Sequence, residues 1–134
     1  MSIAESFVNY LENLGVGIFG QDIFIGEAPS SNKVQDSIIW IIESGGNNVK
    51  KVATGESLKQ YSMNIYKRDR NYKLVKDSML ELEELLNCNQ CIQLDDYETI
   101  EIEVVSFPID RDLDSEDRKI GLIQVNITIY KKCA

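Results

Sequence analysis

The residue types that do chemistry are sparse in this chain, and their spacing counts against most of the chemistry they would do. Cys88 and Cys91 form a C-x-x-C pair, the spacing of half a zinc site or of a redox dithiol. Zinc needs two more ligands, yet the chain holds no histidine and only one further cysteine, Cys133. A thioredoxin-like dithiol sits at a helix amino terminus, which lowers the thiol pKa. This pair follows the carboxy end of a predicted helix, where the dipole acts the other way. Free loop thiols in a reducing compartment are the expectation.

Other constellations fail on order or position. Gly15, Gly17 and Gly20 spell G-x-G-x-x-G, but that fingerprint must follow a strand and open a helix so that phosphate meets helix N–H groups. Here it follows a helix and precedes a strand. Asp110, Asp112 and Asp114 alternate like calcium ligands. A calcium loop begun at Asp110 requires glycine sixth and glutamate twelfth, and it finds Ser115 and Gly121. A solvated hairpin tip, with Arg111 and Arg118 offsetting the acids, fits better. Asp95 and Asp96 are adjacent, so on a strand they point apart. The missing histidine also removes the commonest acid/base near neutral pH, and no nucleophile stands near a base. No catalytic, cofactor-binding or metal-ligating residue is assigned.

The whole chain of 134 residues is expected to form a single domain, residues 1–134. A net charge of −8 opposes generic nucleic-acid binding, which needs a basic face to displace counterions. No apolar run approaches the roughly 20 residues that span a bilayer. The amino terminus lacks a basic region followed by an apolar run, so no signal peptide and a cytosolic site of folding are expected. The sequon at Asn126 is then without meaning.

The elements that would position any site are clearer. Ser2 and Glu5 make a capping box, Ile3, Phe7, Tyr10, Leu11 and Leu14 share an arc with Val8 at its margin, and Gly15 stands at C′. Residues 22–26 read as a short strand and residues 27–36, with Pro29, as a loop. The unbroken apolar run at residues 38–42 predicts a central strand covered on both faces. Residues 44–57, polar and carrying Gly45, Gly46 and Gly55, read as a mobile hairpin arm. They lack the lysine-serine/threonine ending of a phosphate-cradling loop.

Tyr61, Met63 and Ile65 then alternate with Ser62, Asn64 and Arg68 in a further strand. At Asp69-Arg70-Asn71 the period changes, and Leu74, Val75, Ser78, Met79, Leu82, Leu85 and Leu86 share an arc of about 140°. Asp69 or Asn71 is the expected N-cap. Lys73 and Lys76 early, and Glu81, Glu83 and Glu84 late, oppose the helix dipole at about 0.3–1 kcal/mol each. Burial of the apolar arc, at about 1.5–3 kcal/mol per side chain, outweighs them. Leu80 falls among the charges. Residues 87–98 read as a connection. Ile100, Ile102 and Val104 alternate with Glu101 and Glu103 before the parity shifts to Val105, Phe107 and Ile109, which predicts a bulge. Pro108 marks an edge or a strand end. A last strand at residues 123–129 should have one wet face, at Gln124, Asn126 and Thr128. The expected fold is α+β, a mostly antiparallel sheet of about five strands with two amphipathic helices, in the order α-β-β-β-α-β-β opening with a three-strand meander.

This layout resembles the tail terminator family of long-tailed bacteriophages, often called minor capsid proteins. The resemblance is carried by Leu14-Gly15 at a helix end, the strand at residues 22–26 before Pro29, and the apolar strand ending at Gly45-Gly46. It continues through Ile65 and Arg68-Asp69 into the Tyr72 helix, then Phe107-Pro108, Arg111-Asp112 and the strand around Asn126. It covers nearly the whole chain, apart from the acidic tip at residues 110–117 and the Cys88 loop.

The resemblance implies a structural virion protein and not an enzyme. Its subunits form a ring, usually of six, that caps the tail tube, stops tube polymerisation and offers a surface for head joining. The implied partners are copies of itself, the tail tube protein and a head-completion or stopper protein, with DNA passing through unbound and no membrane. The implied place is the head-proximal end of the virion tail, reached from the host cytoplasm during assembly. The alternatives are a head-completion or stopper connector, or a small regulatory or interaction domain. On the ring reading, Arg68, Asp69, Arg70, Leu80, Gly45, Gly46, Lys50 and Lys51 are candidate contacts to a neighbouring subunit or the tube. Glu101, Glu103, Asp110, Asp112 and Asp114 are candidate acids of the channel or an end face, where like charge keeps DNA from sticking.

Overall fold

A computed structural model describes residues 3–26, 37–51, 56–86, 92–94, 97–111 and 118–132. Two helices, α1 (Ile3–Asn13) and α2 (Tyr72–Leu86), accompany six strands: β1 (Ile23–Ile25), β2 (Ile38–Lys51), β3 (Glu56–Asp69), β4 (Ile92–Leu94), β5 (Tyr97–Arg111) and β6 (Lys119–Lys132). The strands form one sheet in the order β1-β2-β3-β6-β5-β4. Every pairing is antiparallel except β1 with β2.

The expected α+β class and helix placement hold, with two differences in the sheet. The first three strands are not a meander, because β1 lies parallel to β2 and a parallel pair cannot be closed by a tight hairpin. The residue 87–98 connection contains β4, a three-residue strand too short to show a period. The apolar strand begun at Ile38 also runs on through the polar arm to Lys51, paired with β3 as far as Ser57. Register shifts fall between Glu43 and Gly46 and again between Asn48 and Lys50. Gly45 sits at the first of them with φ +109°, a conformation that disfavours a side chain.

Local chemistry fixes the helix ends. Gly15 N–H donates to the Glu12 carbonyl at 3.0 Å and Val16 N–H to the Leu11 carbonyl at 3.1 Å, a Schellman closure around Gly15 at φ +80°. At the start of α2, Asn71 Oδ1 accepts from Lys73 N–H at 2.9 Å, which makes Asn71 the N-cap. Asp69 Oδ1 accepts from Asn71 N–H at 3.3 Å and sets the turn before it.

One face of the sheet carries the core. Phe7, Val8 and Leu11 of α1 and Val75, Met79, Leu82 and Leu86 of α2 close over Ile39, Ile41, Met63, Ile65, Ile102, Ile123, Val125, Ile127 and Ile129. At about 1.5–3 kcal/mol for each large side chain, this burial is what holds α2 despite its reversed charges. The α2 arc is narrower than its sequence implies, since Leu74 and Leu85 are exposed, as is Leu14 just past the end of α1. A straight helix on a sheet touches it along one stripe, and Leu74 and Leu85 lie beside that stripe. Gly121 of β6 lies directly under α2, where a Cβ would come within 2.7 Å of Val75 Cγ1 and 3.2 Å of Met79 Cγ.

Candidate assembly surfaces

The face of the sheet away from the helices begins as an apolar surface and becomes a polar one. Trp40 on β2 and Tyr66 on β3 are direct cross-strand partners and stack there. Farther along, the rows Ser62–Asn126–Glu103 and Gln60–Thr128–Glu101 cross three strands. Ser62 Oγ donates to Asn126 Oδ1 at 2.8 Å, and Gln60 Nε2 donates to Thr128 Oγ1 at 3.5 Å. Gln124, Asn126 and Thr128 are half-exposed, as the alternation in the last strand implies, and Glu103 is exposed. The expected irregularity in β5 is present as register shifts on both sides of Ser106.

The candidate contact residues do not form one patch. Arg68 is only 3 % exposed, so it lies within the fold and not on its surface. Its strand parity sets it in the row of Ile38 and Ile120, and neither it nor the equally buried Arg118 lacks a partner. Asp69 is half-buried and Arg70 exposed. Leu80, 43 % exposed, stands alone on the outer side of α2. Gly45 is exposed and Gly46 follows it in β2, while Lys50 and Lys51 hold backbone positions opposite Leu58 and Ser57. Glu101 and Asp110 hold backbone positions opposite Thr128 and Gly121. Asp112, Asp114 and the rest of the acidic tip lie outside the described residues, as do Pro29, Cys88, Cys91 and Cys133.

Two open grooves flank the helices. The first, about 190 Å³, lies between α1 and the β1 edge and is lined by Glu5, Val8, Asn9, Phe19 and Ile25. The second, about 240 Å³, runs from the end of α1 to α2, with Leu14, Val16, Leu82 and Leu85 around Lys67 and Glu81. Both are smaller than the roughly 300–1,000 Å³ of a typical ligand pocket. Neither brings a nucleophile to a base. Among the described residues no three of His, Cys, Asp or Glu gather as a metal site.

Lys67 was missed as a residue of interest, although its position carries a signal. It shares the parity of Met63 and Ile65, so it points to the helix side of the sheet. Burial lowers its amine pKa below the ordinary 10.5, with the carboxylates of Asp69 and Asp22 acting the other way. Its Nζ donates to Ser37 Oγ at 2.6 Å.

Comparison with known proteins bears on these surfaces. A family model described as bacteriophage tail terminator protein matches residues 10–131. Among solved structures, a chain from the virion of a native gene transfer agent particle superposes with a TM-score of 0.55 at 8 % identity. That match covers 84 % of this chain and 81 % of the other, and at such identity it speaks to the fold alone. No curated protein sequence matches.

Proposed function

Because this chain belongs to the bacteriophage tail terminator family, we propose that it closes the head-proximal end of a tail tube as a ring of copies. It is a structural protein of the phage tail. The ring, usually of six, stops addition of further tube protein and presents a surface to the head-completion or stopper protein. The observation that carries this reading is the family match, which runs from within α1 to within β6.

The physical features support a ring that passes DNA without holding it. The net charge of −8 suppresses phosphate binding. The helix-free face offers amides, hydroxyls and Glu103, and its buried Arg68 is already engaged. Glu101, Glu103 and the acids from Asp110 through Asp112 and Asp114 face the channel or an end of the ring. Arg70, Leu80 and the arm of Gly45, Gly46, Lys50 and Lys51 meet a neighbour or the tube, whereas Arg68 stays inside the subunit. The test is tube growth in vitro. Purified protein added to polymerising tail tube protein should arrest elongation at one end, and tubes that keep lengthening with the protein saturating would contradict the proposal.

A further inference from the structure

The sheet ends in two steps of opposite sense. On one side β1 covers β2 only at Ile39–Ile41, so residues 42–51 have no outer neighbour among the described residues. On the other side β4 covers β5 only at Tyr97–Thr99, which leaves residues 100–111 open in the same way. The ladder shows how the steps align. Lys50 lies in the row Leu58–Tyr130–Glu98, so the open part of β2 is level with β4. Ile39 lies in the row Lys67–Gly121–Asp110, so β1 is level with the open part of β5. Each edge therefore projects where the other is recessed.

We propose that copies of this chain join head to tail through these stepped edges, with β4 of one copy beside residues 48–51 of the next. The next copy's β1 then lies beside residues 106–111 of the first. This rests on the ring reading and supplies its interface. Strand addition satisfies backbone N–H and C=O groups that an open edge leaves to water. Strand directions place β4 parallel to its new neighbour and β1 antiparallel to its own. Exposed apolar side chains stand at both edges, with Ile18 (52 %) and Phe19 (51 %) leading into β1 and Val105 (48 %) on β5.

Charge selects the head-to-tail choice. The open part of β2 holds Lys50 and Lys51 against one acid, Glu43, and the open part of β5 holds Glu101, Glu103 and Asp110 against one base, Arg111. Joining unlike edges brings opposite charges together. Joining two β5 edges gathers carboxylates, which costs association. An interface between unlike edges generates a ring when its rotation closes, whereas one between like edges stops at a dimer.

The test is disulfide trapping in a chain whose Cys88, Cys91 and Cys133 are replaced by serine. Neighbouring strands lie about 4.8 Å apart, within the Cα range of a disulfide. Gln93→Cys paired with Asn48→Cys or Lys50→Cys should, on oxidation, give a covalent ladder ending at the ring's subunit number. The two sites lie at opposite edges of one sheet, so no bond can form within a copy. As a second measure, Lys50→Glu with Lys51→Glu should raise the concentration needed for assembly by about tenfold or more, and Glu101→Lys with Glu103→Lys should restore it. Rings that form without cross-links and ignore the charge swap would overturn this interface while leaving the ring reading intact. A ladder that stops at dimer would overturn the head-to-tail choice. A chain that stays monomeric at every concentration would overturn both.

Discussion

Trp40 and Tyr66 stack across the β2–β3 ladder with ring centroids 5.1 Å apart and planes 7° from parallel, on the side of the sheet away from both helices. A sheet with helices on one face only would otherwise leave a large aromatic in water there. Trp40 is instead buried, and its strand is covered on both faces at residues 38–41. Tyr66→Ala should therefore cost more than a surface substitution. Loss of the stack alone removes about 0.5–1.5 kcal/mol beyond the area term. Thermal and urea unfolding measure it, and Tyr66→Phe should keep most of the stability.

Gly121→Ala should loosen α2. The added methyl would press on Val75 and Met79, and overpacking of this kind costs about 1–3 kcal/mol. Combining it with Val75→Ala should recover part of the loss, a coupling that a double-mutant cycle reads directly.

Much of this was legible in the sequence. Gly15 as a helix stop and the wet face of β6 were visible because each follows a local rule of backbone or period. Asn71 was one of two candidate caps, and the bond to Lys73 N–H decides for it. Non-local features were not visible. The parallel placement of β1 depends on β2 as a partner, and the three residues of β4 leave no period to detect. The burial of Arg68 follows from Ile38 and Ile120 standing on either side, residues far apart in the chain. Of the assembly surfaces, the sequence shows charge, but only the ladder shows that Lys50 and Glu98 lie in one row at opposite sides of the sheet.

Lys67 makes stability rise with pH. Burial lowers its pKa in the folded chain, so between that lowered value and 10.5 the unfolded chain holds more protons. Unfolding free energy must then increase as pH climbs through this window, and the charged amine is a cost at neutral pH. Lys67→Met should remove that slope. Comparing urea midpoints of the two proteins from pH 7 to above 10 gives the difference, and the variant should gain on the wild type most at the neutral end.

In the proposed ring, reversing the acids should make the channel sticky. Glu101→Lys with Glu103→Lys puts two cations where the proposal has DNA slide. The variant should retain duplex DNA at low salt and release it as salt rises, with the wild type binding in neither condition. Because Glu101 and Glu103 also stand on the open β5 edge, the binding is read on the purified protein with its state of assembly measured alongside.

The central claim is that this chain acts by repetition around a ring. Electron microscopy of the purified protein, with its mass measured in solution, tests that most directly. The account predicts closed rings of one subunit number, usually six in this family, each with a hole wide enough for duplex DNA, and the same rings at one end of tail tubes. A protein that remains monomeric at high concentration and never decorates a tube end would contradict it.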